Sequence, residues 1–352
     1  MLKPRESIAA LDPYQSPIGS REGLNLDLNE NLAGCSPRVL ARLRTLSATD
    51  VSRYPQREVG ERMVANFLNI DPQQLLLTNG VDETLCLLFS TYLRQGSEAI
   101  FSDPTFVMYP IFSRAFGAQL VRVPAGEGFA FPAAEILSCI SQRTHAIAIA
   151  NPNNPTGTVA SRADLVRIVE AAPDAAVLID EAYFDFYGET LLAEVPRHQN
   201  LFIARTFSKA YGLAGLRLGA LIGPPEQIGF IRRFCSPFNV NAAALACLEE
   251  ALADQAFVRD YVTQVKQGRD QIAKLCVELG LEHWPSSANF VLVRVGERSE
   301  PFVEAMQCSG IMIRDSSASP GCAGCVRITV PTNEPMNRVL GAMRQAFKEV
   351  EP

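Results

Sequence analysis

The feature that most limits what this chain can fold into is an alternation running from about residue 75 to residue 222. Short apolar runs, "QLLLTNG", "EAIFSDP", "AQLVRVP", "HAIAIANP", "AAVLIDEAY", "NLFIARTFS" and "RLGALIG", alternate with stretches of helical spacing such as "VDETLCLLFSTYL" and "SRADLVRIVEAA". A run that is apolar at nearly every position suits a strand covered on both faces, and intervening helices supply the cover. The expectation is an α/β fold of βαβ units, with a mostly parallel sheet flanked by helices. Ser161 is the expected N-cap of the helix after it, with Asp164 in the first turn.

The character changes after Pro225. "EQIGFIRRFC", "NAAALACLEEALA" and the stretch from about 255 to 279 have helical spacing, whereas "NFVLVRV", "GIMIR" and "VRITV" have strand character. This predicts a smaller α+β domain reached through a long helix. The first 30 residues hold Pro4, Pro13, Pro17, Gly19 and Gly23 without periodicity, and read as an arm of little regular structure. The expected division is an arm over 1–30, a large domain over 31–245 and a small C-terminal domain over 246–352.

Several function classes drop out on composition. A net charge of −6 argues against a basic nucleic-acid face. No run approaches the roughly 18 apolar residues of a membrane span, and the N-terminus lacks a signal-like apolar core, so a cytoplasmic protein is expected. The 9 cysteines are odd in number and scattered along 352 residues, which disfavours a disulfide framework. One pair, Cys322 and Cys325 of "CAGC", has C-x-x-C spacing. With only His145, His198 and His283 and no second such pair, a zinc site lacks ligands, and no metal is expected. The pair reads as small residues in a loop before a strand.

Ligands of a parallel sheet gather at the carboxyl ends of its strands. "QLLL" ends in Thr78-Asn79-Gly80-Val81-Asp82, where Gly80 either makes a plain turn or opens a helix whose free N–H groups suit a phosphate. "HAIAIA" ends in "NPNNPTG", a rigid turn that also carries uncharged amide donors. "AAVLI" ends in Asp180, Glu181 and Tyr183. A carboxylate buried there either caps the chain or meets a cation, from the protein or from a protonated ring nitrogen. Then comes "TFSKAYGLAGLRLGA", with Lys209 and Arg217 and no acid between them. A lysine in apolar surroundings becomes nucleophilic toward carbonyls, and Thr206, Ser208 and Arg217 suit a phosphate. Together these residues ask for an anionic cofactor with a carbonyl, a phosphate and a basic ring nitrogen, which describes pyridoxal 5′-phosphate.

The ordered set "NPNNPTG", "IDEAY", "RTFSKAYGLAGLRLG" and "VRIT" closely resembles the fold-type I pyridoxal-phosphate aminotransferases of class I/II, from about Asp27 to the C-terminus. "LDPY", "LNEN", "SRYP" and the pair Arg314 and Arg327 resemble the histidinol-phosphate branch of that family most. The resemblance implies that Lys209 holds the cofactor covalently and that Asp180 keeps the pyridine nitrogen protonated. Tyr183 and Asn154 would donate to the ring phenolate oxygen. Thr206, Ser208, Arg217 and the N–H groups of Val81 and Asp82 would cradle the phosphate, and Phe106 would stack on the ring. Tyr54 would reach that phosphate from the other subunit of a homodimer. Asn29, Arg314 and Arg327 would bind substrate, with Tyr14 closing the site.

The activity implied is exchange of an amino group between an amine donor, in that branch L-histidinol phosphate, and a 2-oxo acid such as 2-oxoglutarate. Lys209 would move the α-proton. An aromatic aminotransferase, a threonine-phosphate decarboxylase and a non-catalytic cofactor-binding regulator share the pattern in part. The stretch "RDSSASPGCAGCVRIT" departs from it, lacking the Gly-Leu-Pro that often precedes the last motif, and Phe106 stands where that branch often has tyrosine. Both departures bear on the substrate and leave the motifs of the general reaction intact.

Overall fold

The computed structural model of the chain describes residues 2–13 and 22–350. Its strands are β1 (Leu24–Leu26), β2 (Leu75–Thr78), β3 (Glu98–Asp103), β4 (Gln119–Pro124), β5 (Thr144–Ala150), β6 (Ala176–Asp180), β7 (Leu201–Thr206), β8 (Gly219–Ile222), β9 (Glu282–His283), β10 (Phe290–Arg294), β11 (Ile311–Asp315) and β12 (Cys325–Thr329). They form a 7-stranded sheet of order β2-β8-β7-β6-β5-β3-β4 and a 5-stranded sheet of order β1-β11-β12-β10-β9. In the larger sheet only β8 runs against its neighbours, β2 and β7, and the other pairings are parallel. The fold is the expected α/β arrangement.

The strands are buried on both faces, and their alternation shows how. Leu75, Leu77, Ile147, Ile149, Val177, Ile179 and Ile203 face one apolar cluster. The intervening Leu76, Ala146, Ala148, Ala176, Leu178, Phe202 and Ala204 face another. Successive side chains of a strand point to opposite faces, so a run apolar throughout fills two cores at once. The second face uses small alanines where the helix Val81–Tyr92 brings Leu85, Leu88 and Phe89 against it. Ser161 caps the helix Arg162–Ala171 by accepting from the Asp164 N–H, as its sequence predicts.

Two structural features bear on the expected arm and boundary. The N-terminal arm carries the helix Glu6–Ala9 and also β1, which pairs in parallel with β11 and so belongs to the smaller sheet. Three residues, "LNL", are too few to show a period. The expected boundary at 245/246 falls inside the helix Ala242–Ala253, whose Leu245 and Leu248 meet Gly60 of the helix Arg57–Leu68. The helix therefore packs with the larger unit, and we place the division at Asp254. That residue caps the 24-residue helix Gln255–Glu278 leading to the smaller sheet. Among the described residues no helix is long and apolar enough to cross a membrane.

The chain after β7 loops out and returns as β8, and this loop is pinned to the N-terminal segment. Gly212 has φ +69° and lies directly on the carbonyl of Gly34, so an added Cβ would collide with backbone that has no room to yield. Gly212→Ala is expected to lower the free energy of unfolding by about 2–4 kcal/mol. Urea unfolding checks this, and an unchanged midpoint contradicts the packing.

Candidate active site

Strands β2, β3, β5, β6 and β7 end at one edge of the large sheet, and the reversed β8 begins there. A cavity of about 510 Å³ lies between that edge and the smaller sheet. It is lined by 13 of the residues singled out from the sequence: Asn29, Val81, Asp82, Phe106, Asn154, Asp180, Tyr183, Thr206, Ser208, Lys209, Arg217, Arg314 and Arg327. Tyr54 is not among its lining. Its ring is 78% exposed and stacks on Phe238 at 4.3 Å. Tyr14 lies outside the described residues.

Asp180 and Glu181 are adjacent acids with opposite fates. Glu181 turns away from the cavity, where the chain neutralises it through Arg205 at 2.7 Å, the Thr190 hydroxyl at 2.7 Å and the Leu191 N–H at 2.9 Å. Asp180 faces the cavity, buried, and accepts from the Tyr109 hydroxyl at 2.8 Å and the Ala182 N–H at 3.0 Å. Among the described residues it makes no ion pair. Burial raises its carboxyl to about 6, against the pull of those two hydrogen bonds.

Lys209 faces the same space from the loop after β7. Its Nζ donates to the Leu28 carbonyl at 3.0 Å and lies 6.0 Å from the centre of the Tyr183 ring. Burial, then the neighbouring Arg327, lowers its ammonium to about 8. A substantial neutral fraction therefore exists in mildly alkaline solution, as a nucleophilic lysine requires.

Below Lys209 lies an anion cradle. The helix Val81–Tyr92 starts at Gly80 (φ 79°) with no side-chain cap, which leaves the first N–H groups of a 12-residue helix to a ligand. Arg217, itself at φ 52°, lays its guanidinium against Gly80 so closely that a Cβ there would strike Nη2. Gly219 must likewise be glycine, because a Cβ would come within 2.8 Å of the Gly80 carbonyl carbon. The chain does supply one acid here: Arg217 Nη2 meets Asp82 Oδ2 at 3.0 Å, with both side chains about half exposed. Thr206 and Ser208 are buried on the other side of the cradle, linked by the Ser208 N–H donating to Thr206 Oγ1 at 3.1 Å.

The opposite wall carries the two arginines. Arg314 of β11 and Arg327 of β12 are directly paired across the antiparallel ladder. Arg327 Nη1 donates to Asn154 Oδ1 at 2.6 Å, and Nη2 donates to the Asp27 carbonyl. Arg314 is half-buried and makes no ion pair among the described residues. The neighbouring Asp315 accepts instead from the Ser317 N–H at 2.8 Å. With its Oδ1 occupied, Asn154 keeps Nδ2 as a free donor. Tyr183 accepts from Asn29 Nδ2 at 2.9 Å, so its own O–H is left to donate.

Some functional positions were not legible in the sequence. Tyr109, fully buried and holding Asp180, comes from "VMYPIF", which reads only as a helical stretch. Thr329 and Asn289 anchor Asn29, at φ 56°, through bonds of 3.1 Å that span the length of the chain. No local signal reports such contacts.

The family model for aminotransferase class I and II matches residues 21–343. The chain belongs to that family, whose members use pyridoxal 5′-phosphate to move an amino group between an amine donor and an oxo acid. Among curated relatives it is similar to a histidinol-phosphate aminotransferase of Geobacillus sp. (strain WCH70), 32% identical over 99% of this chain and 96% of the relative. A solved histidinol-phosphate aminotransferase from Sinorhizobium meliloti, in complex with pyridoxal-5′-phosphate, superposes with TM-score 0.91 at 23% identity, over 100% of this chain and 99% of that one. The L-threonine-O-3-phosphate decarboxylase of Porphyromonas gingivalis shares the fold with TM-score 0.79 at 22% identity, over 92% and 99% of the two chains.

The residues present fit the cofactor. A buried carboxylate without a cation, an uncapped helix start under an arginine and a depressed lysine meet in one cavity. Asp180 also carries a pH signature. Its folded-state value lies above that of an unfolded chain, so the stability it contributes is present below about pH 4 and lost as pH rises through about 6. That rise corresponds to roughly 3 kcal/mol. In cofactor-free protein, Asp180→Asn is expected to match the parent near pH 4 and to exceed it by about 2–3 kcal/mol at pH 8. Urea unfolding at the two pH values measures this, and a variant less stable than the parent at pH 8 contradicts the assignment.

Proposed function

We propose that the chain is a histidinol-phosphate:2-oxoglutarate aminotransferase of histidine biosynthesis, acting in the cytoplasm as a homodimer. The observation that carries the substrate reading is the facing pair Arg314 and Arg327 on one wall of the cavity. Two guanidiniums at one site repel in a low-dielectric cleft unless an anion comes between them, and a phosphate ester fills that role better than a carboxylate, which one bidentate arginine satisfies. The names of the relatives support the same reading.

When bound, the cofactor supplies an aldehyde that takes up the amino group and a ring that accepts the electron pair released at the α-carbon. Lys209 would hold the cofactor through Nζ and would serve as the base of the reaction. Its neutral Nζ would take the proton from the substrate α-carbon. The Asp180 carboxylate, fixed by Tyr109 and the Ala182 N–H, would keep the ring nitrogen protonated. Asn154 and Tyr183 would donate to the ring phenolate oxygen, and Phe106 would pack against the ring. Arg217, Thr206, Ser208 and the Val81 and Asp82 N–H groups would hold the phosphate. Asn29, Arg314 and Arg327, with Tyr14, bind the substrate.

Steady-state kinetics on L-histidinol phosphate, L-histidinol and L-phenylalanine test the substrate. Arg314→Ala is expected to lower kcat/KM for the phosphate ester about 100-fold, the 2–3 kcal/mol of a charge-assisted pair, and to spare the amino acid. Faster use of phenylalanine by the parent, or release of carbon dioxide from threonine phosphate, moves the assignment to the corresponding relative.

The homodimer rests on Tyr54, which is exposed and stands outside its own chain's cavity, so that it is free to complete a partner's. Mixing inactive Lys209→Ala with inactive Tyr54→Ala is expected to restore up to about a quarter of parental activity, because half of the randomly formed dimers carry one intact site. No recovery, together with a fully active monomer in sedimentation, contradicts shared sites.

A further inference from the structure

The C-x-x-C pair, which the site does not use, sits on the hairpin between β11 and β12. This hairpin forms the cavity wall through Ser316, Ala318 and Ser319. Cys322 and Cys325 are fully buried free thiols packed with Phe129, Trp284 and Leu292. Successive backbone bonds of 2.9 Å, from the Ser319 N–H to the Ser316 carbonyl, from Cys322 to Ser319 and from Cys325 to Cys322, make the loop a chain of tight turns. The last turn closes on Gly324 (φ +68°), where a Cβ would come within 2.6 Å of the Gly296 carbonyl oxygen. Such a turn holds its first and fourth Cα within about 7 Å, the range a disulfide spans, so the two sulfurs can join without moving a strand.

The surroundings favour a thiolate. Arg294 is the cross-strand partner of Cys325 in the β10–β12 ladder. Its Nη1 donates to Glu282 at 2.8 Å, its Nη2 donates to the Gly321 carbonyl at 3.3 Å, and the guanidinium lies 5.1 Å from the Trp284 ring centre. Nε is buried with no hydrogen-bond partner among the described residues, and a Cys325 thiolate is the acceptor it lacks. The Cys322 thiol, donating to its neighbour, holds Cys325 below the ordinary thiol range, with help from Arg294, and is itself pushed up. A second cavity of about 360 Å³, bounded by Glu282, Trp284, Arg294, Pro320 and Gly321, reaches the residue before Cys322 and the cross-strand partner of Cys325, although neither sulfur lines it.

We propose that Cys322 and Cys325 form a dithiol that a hydroperoxide oxidises to a disulfide, fixing the hairpin that carries Arg314 and Arg327 at its two ends. The Cys325 thiolate attacks one peroxide oxygen; the S–O bond forms, the O–O bond breaks, and the leaving oxygen takes a proton and departs as water. Cys322 sulfur then displaces hydroxide from Cys325; the S–S bond forms, the S–O bond breaks, and the hydroxide takes the Cys322 proton. Two thiols lose two electrons and two protons, and one hydrogen peroxide becomes two waters. The joined sulfurs hold the loop at one geometry, so the arginine wall no longer adjusts to the incoming anion.

The test treats cofactor-loaded enzyme with hydrogen peroxide and maps its peptides under non-reducing conditions. The expected product is a Cys322–Cys325 link that dithiothreitol reverses. With it, KM for the amine donor rises about threefold or more while kcat stays within about twofold. In Cys322→Ser, dimedone should trap sulfenic acid on Cys325, and in Cys325→Ser it should trap none on Cys322. Oxidation confined to other cysteines such as the exposed Cys308, with both hairpin thiols intact in the parent, overturns the proposal, as does a linked enzyme with unaltered KM.

Discussion

The structure turns on one buried charge that the protein leaves incomplete. β6 ends on Asp180, Glu181 follows it directly at the edge of the sheet, and the two acids face opposite sides. Glu181 receives an arginine, a hydroxyl and a backbone N–H. Asp180 receives a phenol and one backbone N–H, so that its carboxylate is oriented but not neutralised. A carboxylate in that position is costly to keep ionised, and on the proposed reading a protonated ring nitrogen would offset the cost. Cofactor binding and the stability of the fold would then be linked through a single side chain.

The rest of the cavity applies the same logic to anions. Arg217, Arg314 and Arg327 enter from three different elements and are held by different means. Arg217 is fixed by a left-handed backbone and a glycine that leaves it room. Arg327 is tied to Asn154 of the large sheet and to the N-terminal segment. Arg314 makes no ion pair among the described residues and is held by its strand. The tied arginine joins the two sheets across the cavity. This difference underlies the proposal that Arg314 discriminates the substrate.

Much of this was legible because the large sheet writes its pattern locally. Each strand is a short apolar run whose carboxyl end meets the ligand edge, so Asp180, Asn154 and Lys209 stand out as polar residues at or just beyond the ends of such runs. The smaller sheet was less legible. β1 has three residues and pairs with a strand almost three hundred positions away, a contact that periodicity does not report. Tyr109 escaped for a related reason: a buried tyrosine in a helix reads as core until its hydroxyl is seen on Asp180. The sequence marks Asp82 by its N–H at the helix start, and nothing local shows that its carboxylate also meets Arg217. The "CAGC" pair was legible as spacing, but Arg294, the residue that gives it chemistry, lies 31 positions before Cys325 and meets it through the β10–β12 register.

The central claim is that Lys209, made partly neutral by burial and by Arg327, carries the cofactor. Reduction of the pyridoxal-phosphate-loaded protein with borohydride, and then peptide mapping, tests it directly. A single stable cofactor adduct on Lys209, absent from Lys209→Ala, is expected. An adduct on another lysine, or an undiminished specific adduct in Lys209→Ala, contradicts it.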